Sequence, residues 1–229
     1  MNVFKISFAG LKLSLVACFV VFSTCLYAQA PKPERFEKEV KNFDRLDSLE
    51  QVRPGSNLFV GSSSVRLWKD IADYFPGAYV INRAFGGSTF ADLLHYADRA
   101  IVPYQPAKIF IYEGDNDISF GVPTDTIFKQ ARTLRKKIAA AFPDVPVVFI
   151  SAKPSISKWH LKDKYIELNK MLKKYASKEK LTAFADVWTP MLDKDGVVFQ
   201  DIFLKDNLHM KAKGYLIWQK VLEPYLLKK

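Results

Sequence analysis

Apolar and polar positions alternate along this chain with two different periods. Between residues 31 and 53, Phe36, Val40, Phe43, Leu46 and Leu49 recur mostly every three or four positions, with acids and lysines between them. That spacing predicts an amphipathic helix on the outside of a domain, ended by Pro54-Gly55. Short apolar runs follow at residues 57–60, 78–81, 108–112, 145–150 and 181–185. Each reads as a strand, and the valine-rich run at 145–150 does so most strongly. Helical stripes separate them. Val65, Trp68, Ile71, Ala72 and Phe75 form one, and residues 89–104 another with a weaker tail broken by Pro103. Ile127, Ala131, Leu134, Ile138 and Phe142 share a face, with Thr124 as the expected N-cap. Leu161, Tyr165, Leu168, Leu172 and Tyr175 make the next stripe, and Tyr215, Trp218, Val221 and Leu222 the last. Strands alternating with helices predict an α/β fold with a parallel sheet covered on both faces. The chain shows no internal repeat, low-complexity tract or linker, so residues 31–229 read as one domain.

The first thirty residues stand outside this pattern. Lys5 and Lys12 precede an apolar stretch over residues 13–27 that is short for a membrane span, and Ala28 and Ala30 follow. This reads as a secretory signal peptide, which places the mature chain in the periplasm or outside the cell with no transmembrane span. An uncleaved anchor and a lipoprotein built on Cys25 are the alternatives. Thr24 stands before that cysteine, where a lipoprotein signal usually has Gly or Ala. Both cysteines, Cys18 and Cys25, fall in the segment. The mature chain therefore has no disulfide, and its stability must come from a packed core.

Charge narrows the partners. The chain has 34 basic and 24 acidic residues, and the mature part keeps about +8. The lysines are scattered, which fits a solvated surface; attraction to anionic lipid or acidic glycan is the sharper reading. No basic run is interleaved with aromatics, so nucleic acid is set aside. The three histidines are dispersed, which predicts no metal site.

In an open α/β sheet, sites form beyond the carboxyl ends of the strands. Gly61-Ser62-Ser63 follows the first strand, Gly86-Gly87 the second, and Gly114-Asp115-Asn116-Asp117 the third. Three polar turns should thus share one edge. Ser63 is the preferred nucleophile, because a strand feeding a Gly-x-Ser turn into a helix start exposes the hydroxyl. Plain helix capping by Ser62, Ser63 and Ser64 is the alternative. The α/β-hydrolase elbow is not matched, since Val65 stands where a second glycine is needed. His209 is the preferred base, with Asp206 three residues earlier to hold its ring; a simple N-cap role for Asp206 is the alternative. His95 sits within a helical stripe. His160 lacks an acid three residues before it, since Ser157 is there. Asn116 can donate to an oxyanion through its side chain and Gly87 through its backbone N–H, while ordinary turns would also explain both segments. Asp117 is expected to support its loop; the pattern leaves Glu113 undecided.

Four blocks in this order resemble the SGNH hydrolases, also called GDSL-type esterases and lipases. Gly61-Ser62-Ser63 resembles the Gly-Asp-Ser block with Ser62 replacing the aspartate. Gly86-Gly87-Ser88, after Asn82, resembles the glycine block. Gly114-Asp115-Asn116-Asp117 resembles Gly-x-Asn-Asp. Asp206-Asn207-Leu208-His209 resembles Asp-x-x-His, with Gly214-Tyr215 downstream. The resemblance spans residues 57–226. It implies a flavodoxin-like three-layer α/β/α sandwich with a five-stranded parallel sheet. It also implies a Ser63–His209–Asp206 triad and an oxyanion hole of the Ser63 N–H, the Gly87 N–H and Asn116. The implied reaction is acyl-ester hydrolysis through an acyl-enzyme, with no cofactor.

Within that class the expected substrate is a short acyl ester such as acetyl on a small molecule or glycan, because no long oily lid insertion is present. A lipid ester of the lysophospholipid kind competes. An acyltransferase and a non-catalytic glycan-binding module on the same fold are further alternatives. Residues 151–161 and 188–205 are expected to shape the pocket, with Trp159 and Trp188 either stacking on sugar or packing in the core.

Overall fold

A computed structural model describes residues 32–228. The segment read as an export signal lies outside the described residues. Five strands form one parallel sheet: β1 (Asn57–Gly61), β2 (Val80–Asn82), β3 (Lys108–Tyr112), β4 (Val147–Ile150) and β5 (Thr182–Ala185). Their order is β2-β1-β3-β4-β5, the flavodoxin-like winding. The helices are α1 (Glu37–Glu50), α2 (Ser63–Arg66), α3 (Phe90–Ala100), α4 (Asp115–Ser119), α5 (Thr124–Ala141), α6 (Lys162–Ala176) and α7 (Ala212–Leu222). No helix among the described residues is long and apolar enough to cross a membrane.

Alternation along each buried strand divides the core in two. Leu58, Val60, Ile109, Ile111, Val147 and Phe149 point to the side covered by α1, α3, α5 and α6. Phe59, Phe110, Tyr112, Val148 and Ile150 point to the side covered by α7 and the segment after α2. The second face is unusually aromatic. Phe59 and Phe110 stack at 4.4 Å, and Trp68 stacks on Tyr215 at 4.8 Å. Rings this large bury much apolar area, which is the main stabilising term among the described residues, none of which is a cysteine.

Three elements depart from the sequence pattern for identifiable reasons. The stripe from Val65 to Phe75 is buried as expected, yet the α-helix stops at Arg66 and a 3-10 turn at Ile71–Tyr74 replaces its second half. The Asn82 side-chain amide donates to the carbonyls of Val65 and Trp68, taking acceptors that a longer helix would use. Thr124 is the first residue of α5 rather than its cap, which is Pro123, and its hydroxyl donates to Glu167 instead. The α4 turn, absent from the periodicity, forms after Gly114, whose φ of 103° is open to glycine.

The N-terminal helix is fastened by charge as well as by Phe36, Val40 and Phe43. Arg83 is wholly buried after β2 and reaches Asp47 at 2.6 Å and Glu50 at 2.7 Å, both on α1. Its Nε also donates to the Tyr104 hydroxyl at 3.0 Å. A guanidinium removed from water persists only when paired in this way. The C-terminal segment is held by an amide exchange: Asn57 Nδ2 donates to Leu227 O, and Leu227 N–H donates to Asn57 Oδ1, both at 2.9 Å.

Gly61 ends β1 with φ of 128°, and a Cβ there would overlap the Tyr112 carbonyl of the paired strand. Gly61→Ala is therefore expected to destabilise the protein by about 3 kcal/mol, read as a lowered urea midpoint.

Candidate active site

The turns that follow β1, β2 and β3 meet at one amide. Asn116 Nδ2 donates to Ser62 Oγ at 2.6 Å and to Ser88 O at 2.9 Å. One side chain thus joins the serine block, the glycine block and its own block at the carboxyl edge of the sheet. Ser62 occupies the N-cap position of α2, but its hydroxyl makes no capping bond and serves Asn116 instead. The plain capping role is therefore not what fixes this serine. Both hydrogens of the Asn116 amide are engaged here, so donation to an oxyanion needs one of them to be shared or released.

The fourth block closes the group. His209 Nε2 lies 2.9 Å from Ser63 Oγ, and His209 Nδ1 lies 2.6 Å from Asp206 Oδ2. Asp206 Oδ1 accepts the backbone N–H of Leu208 and of His209, each at 3.0 Å. Desolvation raises the Asp206 pKa, but the hydrogen bonds from the imidazole and these two N–H groups prevail and hold it at about 2. The carboxylate is ionised at neutral pH, and its bond to Nδ1 fixes the ring with Nε2 towards the serine.

The loop that carries the pair is tied through several of its carbonyls. Leu204 N–H donates to His209 O, Asn207 N–H to Leu204 O, and Ser157 N–H to Asn207 O. Asn207 takes the left-handed conformation, φ 56°, which asparagine tolerates better than most residues. Gly214 leaves room for Met210 beneath the loop, and the Tyr215 hydroxyl donates to Ser64 O at 2.9 Å. The downstream Gly-Tyr pair thus packs α7 onto the turn that holds the serine.

The backbone N–H groups of Ser63 and Gly87 make no hydrogen bond among the described residues. Gly87 has φ of 82° and no atom near its missing Cβ, so an acceptor can approach it freely. His95 and His160 are exposed and stand apart from the group. Trp188 is buried and stacks on the half-buried Trp159 at 6.0 Å, so it packs as part of the core. No cluster of His, Cys, Asp or Glu able to hold a metal occurs among the described residues.

Periodicity gave no hint of the buried ionic layer beneath the site. Asp115 accepts from Lys158 at 2.6 Å, from the Tyr165 hydroxyl at 2.7 Å and from the Tyr112 hydroxyl at 3.0 Å. Lys153 is fully buried, 3.9 Å from Asp115, and donates to Leu208 O at 2.8 Å. Desolvation raises the Asp115 pKa, and the two lysines outweigh it to leave the group at about 2. Desolvation lowers the Lys153 ammonium to about 8, with Asp115 opposing. The only sequence sign of this layer was a lysine three residues after an apolar strand.

Glu113 and Asp117 form the opposite case. Desolvation and then the Asp117 charge push Glu113 well above the usual carboxylate range. Desolvation lifts Asp117 to about 7, against the backbone N–H groups of Phe90 and Gly114 that it accepts. Ser88 Oγ stands 2.6 Å from Glu113 Oε1 and 3.0 Å from Phe85 O. One hydroxyl hydrogen cannot serve two acceptors, and a protonated Glu113 that donates to Ser88 satisfies both. A carboxyl whose folded pKa exceeds its unfolded value stabilises fully below the unfolded value, near 4.3 for glutamate, and loses that contribution as pH rises. Glu113→Gln is expected to lessen the fall of the urea midpoint between pH 5 and 7.5, leaving the variant relatively more stable at the higher pH.

Comparison with known proteins adds to this geometry. Residues 47–217 match the model of the GDSL-like Lipase/Acylhydrolase family. No curated protein matches the chain in sequence. Among solved structures, a Streptococcus pneumonia protein provisionally described as a platelet activating factor aligns with a TM-score of 0.74 at 22% identity, covering 83% of this chain and 92% of its own. A GDSL-like lipase from Bacteroides thetaiotaomicron aligns at 0.66 and 19% identity, covering 85% and 96%. A catalytic mutant of an acetylxylan esterase from Geobacillus stearothermophilus aligns at 0.61 and 13% identity, covering 75% and 94%. At these identities the likeness is one of fold, whereas the family model covers most of the chain. A parallel sheet wound in this order, with its serine, glycine, asparagine and Asp-x-x-His blocks in sequence, belongs to the GDSL-like lipase/acylhydrolase family.

Proposed function

We propose that the protein is an exported serine esterase that hydrolyses short acyl esters through Ser63, His209 and Asp206. The observation that carries this reading is the continuous line Ser63 Oγ, His209 Nε2, His209 Nδ1, Asp206 Oδ2, with contacts of 2.9 and 2.6 Å. Each atom in it has the partner that general-base attack requires.

The steps follow from the contacts. Ser63 Oγ attacks the ester carbonyl carbon while His209 Nε2 takes its proton. Negative charge grows on the carbonyl oxygen, and the free N–H groups of Ser63 and Gly87 supply donors for it, with Asn116 as the third. The imidazolium, paired with ionised Asp206, then gives its proton to the leaving alcohol, and an acyl-serine remains. Water, deprotonated by the same nitrogen, attacks that ester; the bond to Ser63 Oγ breaks, the imidazolium returns its proton to that oxygen, and the acid is released. Export rests on the charge and length pattern of the first thirty residues, and suits a mature chain without thiols.

Ser63→Ala should abolish both p-nitrophenyl acetate hydrolysis and labelling by a fluorophosphonate probe. Wild-type protein that neither labels nor cleaves would defeat the reading. Asn116→Ala should lower kcat by about 10²–10³-fold, as loss of one oxyanion donor does elsewhere. Acetyl esters should be cleaved faster than long-chain ones; the reverse order would move the substrate to lipid.

Lys153 acts as a positioning residue for the triad loop through Leu208 O. Lys153→Met is expected to lower kcat about tenfold with KM nearly constant, because the base is displaced while the binding surface is retained. A change confined to KM would contradict that role.

A further inference from the structure

A cleft of about 540 Å³ lies between α1 and the segments that follow β1 and β2. Its floor is apolar, from Phe43 and Leu46, and its walls carry Lys38, Arg66 and Lys69. Among the cations of the cleft, Arg66 is the one nearest the candidate nucleophile in the chain: it ends the four-residue α2 that Ser63 begins. Its guanidinium rests on Gly86, where a Cβ would collide with Nε. Gly86 directly precedes Gly87, so this end of the cleft borders the proposed oxyanion hole.

The charges in the cleft are unequally satisfied. Glu39 already accepts the Gly86 N–H at 2.9 Å, and Glu50 is paired with Arg83. The side chains of Lys38, Arg66 and Lys69 have no hydrogen bond or ion pair among the described residues. The Arg66 Nε is shielded from solvent and still lacks an acceptor. Leaving a buried donor unpaired is costly, and an arginine fork is matched by a carboxylate. Counted with Arg83 and both of its acid partners, Asp47 and Glu50, the cleft region has four cations against three carboxylates, and the one positive charge in excess suits a single negative charge better than a phosphate dianion.

Size separates the two parts of an ester. An acetyl group needs far less room than this cleft offers. From Lys38 to Glu50 the wall of α1 runs about 18 Å at the helical rise, long enough for more than one sugar ring. We propose that the cleft receives the alcohol part of the substrate, and that this part is a sugar carrying a carboxylate, which Arg66 binds with Lys38 and Lys69 at the rim. The inference rests on the esterase reading above and names the substrate class for it.

The test compares acetyl esters of a methyl glucuronoside, the matching methyl glucoside and a glucoside phosphate. Wild type should favour the glucuronoside over the glucoside by about tenfold in kcat/KM, mainly through KM. Arg66→Met should remove that ratio. Lys69→Met, at an exposed position that cannot compromise folding, should reduce it about threefold, and added salt should shrink it. Equal rates on charged and neutral sugars, or an Arg66→Met variant that keeps the ratio, would overturn the proposal. Preference for the phosphate would overturn the carboxylate assignment. If no ester turns over, the hydrolase reading fails; the cleft is then judged separately by calorimetry with oligoglucuronate and a neutral oligoglucoside. Tighter binding of the acidic oligomer, lost in Arg66→Met, supports the cleft, and equal binding refutes it.

Discussion

A single buried ammonium decides where the two halves of the site stand relative to each other. Lys153 leaves β4, has no contact with water, and joins the carbonyl of Leu208 to the carboxylate of Asp115. Leu208 lies inside the Asp206–His209 turn, and Asp115 is the neighbour of Asn116. Base and oxyanion donor come from segments far apart in the chain, and this charge is their common anchor. A buried lysine is tolerated only because Asp115 is ionised and accepts in turn from Lys158, Tyr112 and Tyr165. Removing one member would leave the others stranded, so the layer behaves as one rigid support.

Beside it lies a layer of opposite character. Glu113 and Asp117 are acids under pressure to stay neutral, whereas Asp115, in the same short turn, is held charged. Three carboxyl groups within five residues therefore differ in ionisation because their neighbours differ: two lysines outweigh burial at Asp115, whereas burial prevails at Glu113 and Asp117 over the serine and backbone N–H groups that bond them. Sequence alone presents them as one acidic turn.

The fold was legible where burial on both faces left continuous apolar runs, as in Lys108–Tyr112, and where helical stripes were long, as in α5. The four blocks were legible because strand ends in an open parallel sheet converge. What escaped was set by single side chains acting across the chain. Asn82 cuts α2 short by taking its carbonyls. Trp188 reads equally well as a sugar platform or as core, and only its stacking against Trp159 places it in the core. Lys153 reads as a surface lysine until its partners, Leu208 and Asp115, are known to be adjacent. Periodicity records which face is apolar, and it carries no information on pairs drawn from distant segments.

The winding of the sheet has a consequence for how the molecule comes into being. No two neighbouring strands are joined by a hairpin; Asn57 meets Lys108 only after β2 and α3 have been placed between them. Nearly all of the pairing is thus long-range, and chains of that kind gain their stabilisation late and fold slowly. The N-terminal helix is subject to the same delay, since its clamps, Arg83 and Tyr104, are made well after it. A polypeptide that stays loose until its last crossovers exist remains threadable through a narrow translocation pore, which is the condition a protein must meet if it is to reach the far side of a membrane before it closes up.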